Sequence, residues 1–203
     1  MTAETKAAWR RRLLAARRAL GAAEHAAEAA ALARHVLALA TAGGTVCAYV
    51  PVGGEPGSPA MLDALRGAGM RVLLPVVCHD EAGRPLPLRW GEYRPDTLVP
   101  GAYGLREPAP PHLPAGAVAG AAVLLIPALA VDRSGVRLGR GAGFYDRTLP
   151  LADPAARRVA VVRDEELVDA LPAEPHDVRM THALTPGRGL VALGVTSHGG
   201  AST

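Results

Sequence analysis

Four short apolar runs bracketed by Gly and Pro constrain the fold more than anything else in the chain: "TVCAYVP" at 45–51, "MRVLLPVV" at 70–77, "AAVLLIPALAVD" at 121–132 and "RRVAVVR" at 157–163. Runs of this kind read as β-strands. Their hydrophobicity is near-continuous instead of alternating, which is the pattern of strands covered on both faces. Between the first two, "SPAMLDALRGAG" (58–69) has helical character and completes a strand, helix, strand unit. The expected fold class is α/β: a three-layer α/β/α sandwich around a central, mainly parallel or mixed sheet, Rossmann-like.

Ahead of the strands, residues 4–40 are almost free of Gly and Pro, with Gly21 as the single interruption, and read as two consecutive helices. In the first, Trp9, Leu13 and Leu20 share a face, which leaves Arg10, Arg11, Arg17 and Arg18 largely outward. In the second, Leu32, Val36 and Leu39 form the apolar stripe. Residues 79–120 are dense in Pro and Gly and predict irregular excursions with one short hairpin around Leu86 to Trp90. Residues 1–195 are expected to form one domain, and "TSHGGAST" (196–203) a disordered tail.

Aromatic residues make up only 3% of the chain, so its core must be built from Ala, Val and Leu. The net charge of +3 permits an acidic partner, nucleic acid or a phosphorylated metabolite, but is mild. Cys47 and Cys78 sit in apolar runs with no metal-ligand spacing around them and read as reduced core thiols. No leader pattern opens the chain, and no stretch reaches about 18 uninterrupted apolar residues, so a cytoplasmic protein without a membrane partner is expected. The seven histidines show no pattern, and each reads as a neutral surface residue, with His176 beside Asp177 the one of interest. Among 22 basic residues, Lys6 is the only lysine.

The peptide "RLGRGAGFYDR" (137–147) packs three glycines, three arginines and two aromatics into eleven positions of a chain that has one Phe and four Tyr. Glycines at 139, 141 and 143 let a backbone approach a ligand and aim its N–H groups at it, the arrangement that binds phosphate at a helix N-terminus. Arg137 and Arg140 would add charge-assisted hydrogen bonds, and Asp146 could hold a divalent cation bridging the same oxygens. The spacing matches neither GxGxxG nor GxxxxGK[ST].

"LLIPALAVDRSGVRLGRGAGFYDRTL" resembles the signature of the 5-formyltetrahydrofolate cyclo-ligase family, also called methenyltetrahydrofolate synthetase. The resemblance extends to Lys6 and Arg10, to "YVPVGGEPGSPAML" (49–62), "LLPVV" (73–77), "GLREP" (104–108) and "LPAEPHDVRMTHALTPGRGL" (171–190), nearly the whole chain in family order. It implies ATP- and Mg²⁺-dependent conversion of 5-formyltetrahydrofolate to 5,10-methenyltetrahydrofolate by a cytoplasmic monomer with no nucleic-acid partner. By the same resemblance, Lys6 and Arg10 contact the nucleotide phosphates. Arg137, Leu138, Gly139, Arg140, Gly141, Ala142, Gly143, Phe144 and Tyr145 form a loop shared by ATP and folate. Val50 and Glu55 line the folate pocket, Phe144 and Tyr145 wall the pterin, and Arg140, Tyr145 and Glu55 form the catalytic set. Asp146 and Asp177 match the Mg²⁺ ligands.

The chain departs from the family pattern at Ala142, where Gly or Lys is common, at Phe144, where Tyr is common, in "PALAVD", and at Thr181. None of these departures deletes a proposed charge. Two other readings remain open on the sequence: a diverged relative that keeps the nucleotide site but has another substrate, and a nucleic-acid-associated protein using the Arg-rich first helix.

Overall fold

In the computed structural model, which describes residues 4–175 and 177–194, the chain opens with helices α1 (Lys6–Ala19) and α2 (Ala22–His35). Thr5 caps α1 by accepting a hydrogen bond from the Ala8 N–H, and Gly21 separates the two helices. There follow β1 (Thr45–Cys47), α3 (Pro59–Gly67), β2 (Arg71–Val76), β3 (Arg89–Glu92), β4 (Leu98–Pro100), β5 (Arg106–Pro108) and β6 (Val123–Pro127). The chain continues through β7 (Ala130–Asp132), β8 (Arg137–Leu138), α4 (Phe144–Thr148), β9 (Arg157–Val161), β10 (Leu167–Val168), β11 (His182–Thr185) and β12 (Gly189–Ala192).

The main sheet has seven strands in the order β12-β11-β9-β6-β1-β2-β3. The five central strands are parallel, and β12 and β3 add antiparallel edges. Side chains alternate between two cores. On one face Val46, Val72, Leu74, Val123 and Leu125 pack with Leu32, Val36, Leu39 and the Met61, Leu62 and Leu65 stripe of α3. On the other, Cys47, Leu73, Leu124 and Ile126 pack with Val118, Phe144 and Leu149. The expected mixed sheet between flanking layers is present, but the second outer layer consists of short helical turns around α4.

Several local expectations change. The apolar run at 121–132 is not one strand: it breaks after Pro127, and its second half, β7, joins a separate three-stranded sheet with β8 and β10. Helix α1 packs on that small sheet through Leu13, which meets Leu129, Val136 and Leu138. The Pro- and Gly-rich stretch holds more order than expected. Residues 89–92 pair with β2 across a connection at 77–88, in place of a hairpin within 86–90, and β4 pairs with β5. Cys47 is buried as expected, whereas Cys78 is only half-buried; both are free thiols. Among the described residues no helix is long and apolar enough to cross a membrane. His176 and the 196–203 tail lie outside the described residues.

Candidate active site

Counted along the chain, the parallel strands β1, β2, β6, β9 and β11 stand in the spatial order 2-1-3-4-5. In such a sheet the chain leaves β1 and β6 in opposite directions, so a crevice opens between their carboxyl ends. Tyr49 and Val50 beyond β1, and Pro127 and Ala128 at the end of β6, line a cavity of about 410 Å³ at that point.

The segment after β1 folds back through a turn in which the Glu55 N–H donates to the Val52 carbonyl (3.2 Å) and the Val52 N–H to Glu55 Oε2 (3.1 Å). The turn buries the Glu55 carboxylate and aims it at Arg140, whose Nε lies 3.2 Å from Oε1. His25 of α2 holds the same turn from behind, with Nε2 3.1 Å from the Glu55 carbonyl.

The glycine loop is aimed by the β7–β8 hairpin. Buried Asp132 accepts hydrogen bonds from the Ser134 N–H and hydroxyl, the Val136 N–H and the Leu171 N–H, which closes the turn. The hairpin returns Arg137 to the end of β6, where Nη1 donates to the Pro127 carbonyl (3.2 Å) and Nη2 to Asp146 Oδ1 (3.0 Å). Burial pulls the Arg137 pKa below its ordinary value, and Asp146 opposes that shift. Gly141 (φ 96°) and Gly143 (φ 79°) adopt a left-handed backbone that side chains resist. Because α4 has only five residues, the expected helix N-terminus contributes little, and anion binding falls to side-chain cations and the loop backbone.

Helix α1 brings the remaining cations. Arg10 Nε donates to the Gly139 carbonyl (3.0 Å), and Lys6 Nζ lies 3.0 Å from Glu174 Oε1 and 3.3 Å from Asp177 Oδ2. Burial disfavours the Lys6 ammonium, but Glu174 and Asp177 outweigh it and raise the pKa above 10.5. Tyr145 is pushed well above its ordinary value by burial, so its phenol stays protonated at neutral pH and can act as a hydrogen-bond donor.

The cavity brings together Lys6, Arg10, Val50, Glu55, Asp177 and the whole 137–146 segment, including every residue expected from the sequence. It also recruits residues that sequence reasoning missed. Arg17, expected to point outward, is buried and lines the cavity. A signal for it existed: Lys6, Arg10 and Arg17 are spaced four and seven apart, one stripe of a helix. Tyr103 and Arg106 come from the stretch read as irregular, and Tyr103 stands on the rim shared with an adjoining groove lined by Leu14, Arg18 and Gly53.

Among the described residues no group of three or more His, Cys, Asp or Glu side chains could hold a metal ion by themselves. Asp146 and Asp177 are two carboxylates on one cavity, each facing a cation. Mg²⁺ is commonly held by one or two carboxylates together with phosphate oxygens and water, so this donor set fits a metal that arrives with a polyphosphate.

Residues 2–186 match the model of the 5-formyltetrahydrofolate cyclo-ligase family. A 5-formyltetrahydrofolate cyclo-ligase of Mycolicibacterium smegmatis is 60% identical over 193 residues, 95% of this chain and 100% of the relative. One from Escherichia coli K12 is 34% identical over 146 residues, 71% of this chain and 79% of the relative. Among solved structures, 5,10-methenyltetrahydrofolate synthetase of Aquifex aeolicus superposes with a TM-score of 0.72 at 21% identity, covering 97% of this chain and 99% of the other. The Mycoplasma pneumoniae synthetase gives 0.67 at 20% identity, covering 87% and 96%. At these identities the superpositions bear on the fold alone.

Proposed function

The chain belongs to the 5-formyltetrahydrofolate cyclo-ligase family, and from that premise we propose that its cavity closes 5-formyltetrahydrofolate to 5,10-methenyltetrahydrofolate, with ATP taken up as its magnesium complex and consumed, ADP and phosphate released, and Mg²⁺ left unchanged. The formyl oxygen is a poor leaving group. When bound, the magnesium nucleotide supplies the phosphoryl group that converts that oxygen to phosphate. N10 of the folate then forms the new bond to the formyl carbon, N10 loses its proton, and the carbon–oxygen bond breaks to release phosphate.

The chain's own part is to gather anions, shed water and align a flat ring. Lys6, Arg10 and Arg137 neutralise the phosphates, and the glycine backbone at 139–143 permits their close approach. Asp146 and Asp177 would hold the Mg²⁺. Glu55 binds the folate while Arg140, paired to it, faces the phosphoryl group in transfer. Val50, Phe144 and Tyr145 give the pterin apolar walls, and Tyr145 keeps a protonated hydroxyl to donate.

The observation that carries this reading is that each of these cations already faces a group of the protein's own in the cavity. Lys6 faces Asp177, Arg137 faces Asp146, Arg140 faces Glu55, and Arg10 faces the Gly139 carbonyl. An incoming phosphate replaces those contacts and frees two carboxylates for the metal. The nucleic-acid reading loses support for the same reason, since Arg17 is buried, Arg10 turns into the cavity, and Arg12 pairs with Glu4 and stacks on Trp9. The test is absorbance at the methenyl band after mixing protein with 5-formyltetrahydrofolate, Mg²⁺ and ATP. A rise that disappears when ATP is omitted supports the reading; no rise from folded, nucleotide-binding protein overturns it.

A further inference from the structure

Tyr103 is the one non-glycine residue with positive φ (57°) among the described residues, and it is 72% exposed. An aromatic residue in the left-handed region costs free energy, and one so exposed recovers little of it by burial. Its place is set by the β4–β5 hairpin, whose turn is closed by hydrogen bonds from Gly101 N–H to the Leu105 carbonyl (2.8 Å) and from Leu105 N–H to the Ala102 carbonyl (3.0 Å). The turn projects the ring onto the cavity rim.

What holds the ring there is His79, from the connection between β2 and β3. His79 Nε2 and Tyr103 Oη are hydrogen-bonded at 2.9 Å. His79 meets the Phe144 ring edge to face at 5.3 Å between centroids, and Tyr103 meets Phe144 at 6.3 Å. The base of His79 is itself braced: Asp80 accepts from the N–H groups of Ala82 and Arg84 and from Arg84 Nε, and the Leu86 N–H donates to the Cys78 carbonyl. Phe144 is anchored from the other side by Thr148, whose hydroxyl donates to the Phe144 carbonyl (2.7 Å) and accepts from the Leu88 N–H (2.9 Å). Three segments far apart in sequence therefore converge on three mutually contacting rings at one edge of the cavity.

We propose that His79 is a positioning residue, holding Tyr103 against Phe144 so that the two rings form a preformed wall for the flat ring of the folate. The inference rests on the proposed function, because that reading assigns the Phe144 side of the cavity to the pterin. A wall held in place before binding spares the ligand the entropy of ordering it, so His79 acts on folate affinity through Tyr103 and leaves the transferred phosphoryl group untouched.

The experiment combines His79→Ala, His79→Gln, Tyr103→Phe and the double variant His79→Ala/Tyr103→Phe. Each is assayed for turnover and, by calorimetry, for binding of 5-formyltetrahydrofolate without ATP. His79→Ala is expected to raise both the folate KM and the calorimetric Kd about five- to tenfold, the loss of one hydrogen bond. The kcat, the KM for ATP and the Tm stay at wild-type values. His79→Gln recovers part of the loss through its side-chain amide, Tyr103→Phe matches His79→Ala, and the double variant is no worse than either single one.

An unchanged folate Kd in His79→Ala overturns the proposal. So does a loss in kcat or ATP affinity equal to that in folate affinity, or a double variant whose losses multiply. Calorimetry separates this inference from its premise: wild-type protein that binds folate in a His79-dependent way but never turns it over refutes the reaction and leaves the wall standing.

Discussion

Arg17 and Glu166 meet in the protein interior as a two-point pair, with Nε 2.6 Å from Oε1 and Nη2 2.7 Å from Oε2, each side chain 3% exposed. The Arg17 guanidinium also donates to the Ala128 carbonyl at 2.6 Å, and Glu166 Oε2 accepts from the Arg163 N–H at 2.9 Å. One side chain thus ties α1 to the end of β6 and to the turn after β9, at the wall of the cavity. Removing either partner strands a buried charge, which costs about 3–5 kcal/mol. Arg17→Ala and Glu166→Ala are each expected to lose that much in urea unfolding. Arg17→Met/Glu166→Leu, which strands no charge, should lose far less than either alone.

Arg140 and Glu55 form a pair of another kind, since the Arg140 side chain is 51% exposed while that of Glu55 is only 10% exposed. Arg140→Ala leaves the buried Glu55 carboxylate with the Val52 N–H as its donor, so the Tm should fall, but by less than for Arg17→Ala. If Arg140 faces charge developing in the transition state, kcat should fall about a hundredfold or more with little change in folate KM. Glu55→Gln should act mainly on folate KM. Steady-state kinetics with each substrate varied separates the two outcomes, and a fall confined to KM in Arg140→Ala would remove it from the catalytic set.

Asp146 and Asp177 make a prediction about metal demand. Asp146→Asn and Asp177→Asn should each raise the Mg²⁺ concentration for half-maximal activity at least about tenfold at fixed ATP. Asp177→Asn should also loosen the hold on Glu174, because Asp177 Oδ2 accepts from the Glu174 N–H (2.8 Å) as well as facing Lys6. Asp146 makes no such backbone contact among the described residues. A Mg²⁺ titration of both variants, with calorimetric nucleotide binding as the control, checks the assignment.

The buried Cys47 thiol should make stability fall at alkaline pH. Burial pushes its pKa from 9.0 up to about 12, while the unfolded chain ionises it near 9.0. The folded state then holds the proton that the unfolded state releases. The contribution is intact below pH 9 and is lost as pH rises toward about 12, at about 1.4 kcal/mol per pH unit. Tyr93, raised by burial and by its hydrogen bond to Asp63 from 10.0 to about 12, joins only from pH 10 upward. Urea unfolding should lose about 1 kcal/mol between pH 9 and 10 from the Cys47 thiol in the wild type, and that loss should be absent in Cys47→Ala. Native alkylation should modify half-buried Cys78 and spare Cys47.

What the sequence by itself determined is whatever a local pattern reports. Continuous apolarity at 46–50, 72–77, 121–131 and 159–162, in short runs bounded by Gly, Pro and charged residues, marks strands buried on both faces, being too short for buried helices. The glycine spacing of 137–147 likewise marks the stretch that can approach a ligand, and its family resemblance supplied residues that all line one cavity.

What only the tertiary structure decided is which polar group meets which. The partner of Arg17 is 149 residues away, and the ring wall joins His79 and Tyr103, from a stretch that reads as irregular chain, to Phe144 at the end of the glycine loop. An arginine stripe on a helix looks the same whether it faces water or a buried glutamate. The difference is the desolvation of the charge and the geometry of its partner, and both exist only once distant segments have packed together.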